Sequence, residues 1–185
     1  MTLTLLTLND RLETRENCRL FLQAWQKWRG GKVLPLRSDV RPEDLKAAMA
    51  AVSVWELKGD GKVMVRLGAT LFEEQTGETR RGKNYLDLMP ERIREQGMER
   101  LQPIVRVPCG IFADGCSLRL KDGRSLEFDI LLLPVAEAPE QKPTFIYYGI
   151  DLADRAKPFD ISEIDKGPFV TSTTHIDIGC GVPEP

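Results

Sequence analysis

Two runs of alternating character, AVSVWELK and KVMVRLGA, constrain this chain more than any other feature. Val63, Val65 and Leu67 alternate with Met64 and Arg66, as a sheet with one buried face requires. Between the runs stands Gly59-Asp60-Gly61, a compact turn signal, so the pair reads as an antiparallel hairpin. Strand-like runs recur downstream in PIVRVPCGIF, CSLRLKDG, RSLEFDILLLPV and TFIYYGIDL, with turn signals at KDGR and EAPEQKP. The apolar stretch ILLLPV suits a central strand buried on both faces and ending at Pro134.

Helical patterns surround these strands. From residue 13 to 29, Cys18, Phe21, Leu22, Trp25 and Trp28 fall on one face, and Gly30 and Gly31 provide the stop. A second helix is expected after Asp39 or Arg41, with Pro42 in its first turn and Glu43 and Asp44 at its positive end. Short helical pieces are expected at 71–75 and 85–89, broken by Gly77 and Gly82, and a longer helix at 90–101. Residues 1–12 read as an N-terminal extension. Beyond 156 the chain gains Pro and Gly and loses periodicity, which predicts an extension that either docks or stays mobile.

The letters NCRLFLQ at 17–23 are similar to the NCRFLQ motif of light-sensing LOV flavoproteins, whose cysteine bonds to flavin. In that motif Cys and Gln lie four apart. Here Cys18 and Gln23 lie five apart, which rotates the glutamine by about 100° on a helix. The stretch also precedes every strand, whereas the LOV motif follows the first ones. It reads as a packing helix, with Cys18 a small buried hydrophobe.

The order of helix, two strands, short helices and three antiparallel strands resembles a PAS domain. More specifically, it is similar to a family of stand-alone bacterial PAS-like proteins found chiefly in alphaproteobacteria. The matching residues are Trp25, Arg29, Gly30, Pro35, Arg37, Asp39 and Pro42 in WQKWRGGKVLPLRSDVRPED. They continue with Arg66, Gly68, Gly77, Gly82 and Leu88 in RLGATLFEEQTGETRRGKNYLDL and with the LLLPV strand around Pro134. The resemblance spans about residues 20–152. It implies an α+β, PAS-like fold over 13–155: a five-stranded antiparallel sheet with short helices on one face and an N-terminal helix. It also implies a space between sheet and helices that holds a small molecule or faces a partner.

On that reading the lining is expected from Val65, Leu67, Leu71, Phe72, Tyr85, Leu88, Met89, Val105, Leu118, Phe128 and Tyr147. These assignments rest on alternation, and a slip of one residue turns a strand's set outward. If its own domain leaves the first helix uncovered, Phe21, Trp25 and Trp28 form an interface suited to a homodimer. The expected function is a non-catalytic sensor or signalling adaptor that binds a small molecule, a protein partner, or both. The alternative is an interaction module whose centre is filled by its own side chains.

Other chemistry finds little support. The single histidine, His175, sits in the tail with Asp177 and Cys180, a weak metal-ligand pattern, and no metal site is assigned. Cys18, Cys109, Cys116 and Cys180 form no C-x-x-C pair, and no histidine stands near Cys109 or Cys116 to activate a thiolate. Neither a G-x-S-x-G elbow nor a phosphate-binding loop is present, so an enzyme is not expected and no cofactor is named. Arg80, Arg81 and Lys83 read first as a solvated basic loop, with contact to an anion or an acidic partner as the alternative. A net charge of -2 gives no electrostatic reason to expect nucleic acid or a membrane surface. The opening MTLTLLTLNDR has no basic residues before its apolar run, so a cytoplasmic location is expected.

Overall fold

The computed structural model describes residues 2–89, 91–139, 141–153 and 163–183. Its strands are β1 (Thr2–Thr4), β2 (Val52–Leu57), β3 (Val63–Leu67), β4 (Gly110–Leu120), β5 (Ser125–Val135), β6 (Phe145–Leu152) and β7 (Ile164–Asp177). Among the described residues they form one sheet in the order β1-β7-β4-β5-β6-β2-β3. Every pairing is antiparallel except that of β1 with β7. The expected hairpin is present as β2 and β3, with Leu57 opposite Val63.

The expected five strands correspond to β3, β2, β6, β5 and β4, and two further strands correct that number. Both come from the stretches read as extensions. β7 runs antiparallel along β4, and β1 continues from β7 through Thr2↔His175. The physical reason lies in β4, whose outer row of N–H and C=O groups would otherwise be an unpaired edge. A tail rich in Thr, Val and Ile suits that position without needing its own alternation.

Two other expectations change. The run from Pro103 to Phe112 is not one strand, because α4 (Glu91–Arg106) continues past residue 101 and β4 starts at Gly110. The first residue of the expected helix at 90–101 lies outside the described residues. GIFADG and CSLRL are not separate strands either. They are two halves of β4, joined by a bulge between Ala113 and Cys116. At its centre Gly115 has φ +62°, its N–H donates to Asp129 Oδ1 at 2.7 Å, and Thr171 donates to its carbonyl at 3.0 Å. The extra residue re-phases the strand, so Ile111, Ala113, Cys116 and Leu118 all face one way.

Helices cover both faces. On one lie α1 (Leu5–Arg11) and α2 (Glu16–Arg29), with Leu45 of a 3₁₀ segment at Pro42–Ala51. On the other lie α3 (Thr70–Thr76), the 3₁₀ turn Tyr85–Leu88, and α4. The helix expected over 13–29 thus begins at Glu16. Its apolar stripe packs on Phe112, Leu131, Leu133, Phe145 and Tyr147. Phe21 and Trp25 are 0% exposed and Trp28 4%. Trp25 Nε1 donates to the Pro134 carbonyl at 2.9 Å, and Trp28 Nε1 to Asp44 Oδ2 at 3.0 Å. The face assigned to an interface through Phe21, Trp25 and Trp28 is therefore occupied by the chain's own sheet, which corrects that expectation.

The start of α2 is held by a residue distant in sequence. Its N-cap, Arg15, makes no side-chain capping bond. Instead Asp151 on β6 accepts from the backbone N–H groups of Asn17 at 3.0 Å and Cys18 at 2.8 Å. A carboxylate at this end also suits the helix dipole. Arg15 Nε donates to Asp129 Oδ2 at 2.6 Å, tying the same helix start to the β4 bulge.

Candidate functional site

Alternation along the sheet delivers one wall of an internal cavity. Ile111, Ala113, Cys116 and Leu118 come from β4, Phe128, Ile130 and Leu132 from β5, Tyr148 and Ile150 from β6, and Trp55 from β2. The opposite wall comprises Phe72 of α3, Arg80, Tyr85, Leu88, Met89, and Gly97, Arg100 and Leu101 of α4. Ile164, Val170 and Thr173 of β7 complete the lining. Its volume is about 140 Å³, and it opens to solvent by Arg100. α4 can approach this closely because Gly97 has no side chain: a Cβ there would lie 2.7 Å from Met89 Sδ.

The cavity is mostly apolar, and Arg80, Arg100, Thr173 and the phenols of Tyr85 and Tyr148 are its polar lining. Trp55 stacks on Tyr85 with ring centroids 4.1 Å apart and leans on Tyr148 at 4.5 Å. Burial pushes the Tyr85 phenol up to about 12, further raised by Tyr148 and opposed by Arg80 and Arg100. Burial also raises Tyr148, against the opposing charge of Arg80 and a hydrogen bond with Ser53. Both hydroxyls therefore stay protonated at neutral pH and can donate.

Arg80 lies beside the two phenols and hydrogen-bonds Tyr148. Glu73 Oε1 accepts its backbone N–H at 2.8 Å, fixing the loop that follows α3. The guanidinium carbon sits 4.1 Å from the centroid of the Phe72 ring. Its Nε is buried without a hydrogen-bond partner. The described lining contains two cations, Arg80 and Arg100, and no carboxylate.

Of the expected lining residues, the structure brings Phe72, Tyr85, Leu88, Met89, Leu118 and Phe128 together around the cavity. Val65 is buried in the same core but does not reach the wall, and Leu71 packs at the periphery of that core. Three others are displaced. Leu67 is 44% exposed, since β2 shifts register between Val54 and Trp55 and the strand ends there. Val105 is on α4, where Ile104 takes the buried position. Tyr147 faces the α2 side, edge-on to Trp28 at 6.0 Å, and its neighbour Tyr148 points into the cavity. The last case is a one-residue slip of alternation.

Sequence reading missed Trp55, Arg80, Cys116, Tyr148 and the β7 residues. Cys116 was hidden by the bulge, and Arg80 by its charged neighbours. In the structure Lys83 pairs with Glu78 and Arg81 is exposed, while Arg80 turns inward.

Thiol and metal chemistry have little to build on. Burial raises Cys18 well above its ordinary value, Cys109 to about 11 and Cys116 to about 12. These thiols are poor nucleophiles at neutral pH. Cys18 packs under Gly149, its Sγ 3.5 Å from that carbonyl, on the opposite face from the cavity. Asp177 is engaged by the N–H groups of Gly179 and Gly181 at 2.7 and 2.9 Å. Among the described residues no group of three His, Cys, Asp or Glu side chains is placed to hold a metal ion. No described helix is long and apolar enough to cross a membrane.

The chain is similar to a Rhodobacter sphaeroides LOV protein, at 16% identity over 57% of this chain and 60% of that one, with TM-score 0.36. The RsLOV d2 variant is comparable, at 15% identity, the same coverage and TM-score 0.37. The match thus spans about 60% of the length of those structures. No curated protein sequence matches the chain. The profile of the PAS domain family matches residues 14–148, from just before α2 through the first half of β6. The chain belongs to the PAS domain family.

Proposed function

We propose that this PAS domain is a non-catalytic sensor or signalling adaptor that binds a small organic molecule between its sheet and the α3–α4 layer. PAS domains are in general sensory and signalling modules. The observation that carries the reading is the cavity of about 140 Å³, mostly apolar but lined also by Arg80, Tyr85 and Tyr148. Small-molecule sites typically combine an apolar lining with a few convergent polar groups. An interior filled only by its own side chains would leave little reason for a guanidinium there. The volume is close to that of cavities of roughly 150 Å³ that take up benzene, and below the roughly 300 Å³ at which drug-sized sites begin. The raised thiol pKa values argue against cysteine-dependent turnover.

The test combines mass analysis of molecules that copurify with thermal unfolding against single-ring and short-chain compounds. An occupant at a hundred times its Kd stabilises by about 2.7 kcal/mol. In Ala113→Leu, whose larger side chain enters the cavity, that stabilisation is expected to vanish while the fold persists. Equal stabilisation of both proteins, or no copurifying molecule together with no stabilising compound, would refute the proposal.

A further inference from the structure

The charge inside the cavity narrows what can occupy it. Arg80 lies against an apolar wall with its Nε buried and unpartnered, and no carboxylate stands among the described lining residues. The side chain is half-buried and another part of its guanidinium reaches the Tyr148 hydroxyl, but a buried N–H without a partner is costly, so the Nε leaves one donor open to an acceptor. Arg100 adds a second positive charge from α4, at the exposed part of the lining. Tyr85 supplies a hydroxyl that remains protonated and can donate, while the Tyr148 hydroxyl is shared with Ser53 and Arg80. Arg80 and the Tyr85 hydroxyl favour an acceptor bearing negative charge, and Arg100 adds to the positive potential. The remaining wall, with Trp55, Phe72, Leu118 and Phe128, demands an apolar body, and the volume limits it to about one ring.

We infer that the cavity is selective for a small organic monoanion, a carboxylate carrying a single aromatic ring or a branched chain of that size, paired with Arg80. This rests on the proposed ligand-binding function and specifies its ligand class. Inorganic phosphate shares the charge but lacks the apolar body, and toluene and benzamide share the body but lack the charge.

Titration calorimetry of the full chain with benzoate, benzamide, toluene and phosphate tests the assignment. Benzoate is expected to bind about tenfold to a hundredfold more tightly than benzamide, the range of one charge-assisted pairing. Arg80→Met should bring benzoate and benzamide to about equal affinity, and Arg80→Lys should retain part of the preference. If Arg80→Met does not fold, the wild-type ratios and Arg80→Lys decide. Toluene or benzamide binding as tightly as benzoate would overturn the anion inference and leave the ligand-binding proposal standing. So would phosphate displacing benzoate, or benzoate affinity unchanged in Arg80→Met. Failure of every probe to bind would overturn the ligand-class inference, and the copurification and thermal test alone decides the ligand-binding proposal.

Discussion

Replacing Asp151 with alanine should loosen the start of α2, although the two are more than 130 positions apart. The carboxylate accepts two backbone N–H groups at 3.0 and 2.8 Å, and Arg15 offers no capping side chain in its place. Loss of a helix N-cap costs about 1 kcal/mol, and a buried N–H left without a partner costs about 1–3 kcal/mol. Cys18 is fully buried, so its amide takes that penalty, whereas the amide of half-buried Asn17 can recover water. One term opposes these. Asp129 lies directly opposite Asp151 on β5, and removing a like-charged cross-strand neighbour returns roughly 0.2–1 kcal/mol. The net loss is about 2 kcal/mol, or about 4–8 °C in Tm for a chain of this length. Urea denaturation followed by tryptophan fluorescence reads it directly, because Trp25 and Trp28 lie on the affected helix. Asp151→Asn keeps one acceptor and should fall between wild type and Asp151→Ala. Hydrogen exchange at the Asn17 and Cys18 amides should quicken more than at the helix centre. A stability within about 0.5 kcal/mol of wild type, or an asparagine variant worse than the alanine one, would refute the capping argument.

Gly149→Ala places a methyl 3.0 Å from Phe21 Cδ1 and 3.2 Å from its Cβ, so α2 must move outward at a cost of about 1–3 kcal/mol; an unchanged denaturation midpoint would show that α2 yields freely. Acid should destabilise the fold through three surface carboxylates, each held below its ordinary value. For Asp39 the leading cause is the hydrogen bond from Lys32, for Asp44 that from Lys27, and for Glu56 that from Lys58. Their native values are depressed, so their contribution is complete above the ordinary 3.8 to 4.5 and disappears as pH falls through the native values. Unfolding free energy measured from pH 7 to 3 should decline in that window, less steeply in Asp39→Asn/Asp44→Asn and less steeply at high salt, and an unaltered slope in the double variant would contradict this. With a thiol reagent at neutral pH, exposed Cys180 should react first and Cys18, Cys109 and Cys116 only on unfolding, so rapid modification of Cys116 would contradict its burial.

Local periodicity carried the hairpin, the buried stripe of α2, the strands β5 and β6 and the order of elements that marks a PAS domain. These features depend on neighbours two to four positions apart, and such neighbours are written into the chain itself. Of the cavity, the residues on the short helices were legible, Phe72, Tyr85, Leu88 and Met89 among them, because the break between helices already placed them over the sheet. Folding in three dimensions settled the rest. The bulge at Gly115 changes the phase of β4 and turns Cys116 inward, and phase within a strand cannot be read across an inserted residue. Tyr148 rather than Tyr147 faces the cavity because pairing with β2 and β5 sets the register of β6. Phe21, Trp25 and Trp28 look like a contact surface until the sheet that covers them is known. β7 has too little alternation to announce itself and becomes a strand because β4 offers it an unpaired edge. Arg80 is one basic residue among three until the fold packs it on Phe72 and leaves its Nε facing an apolar interior.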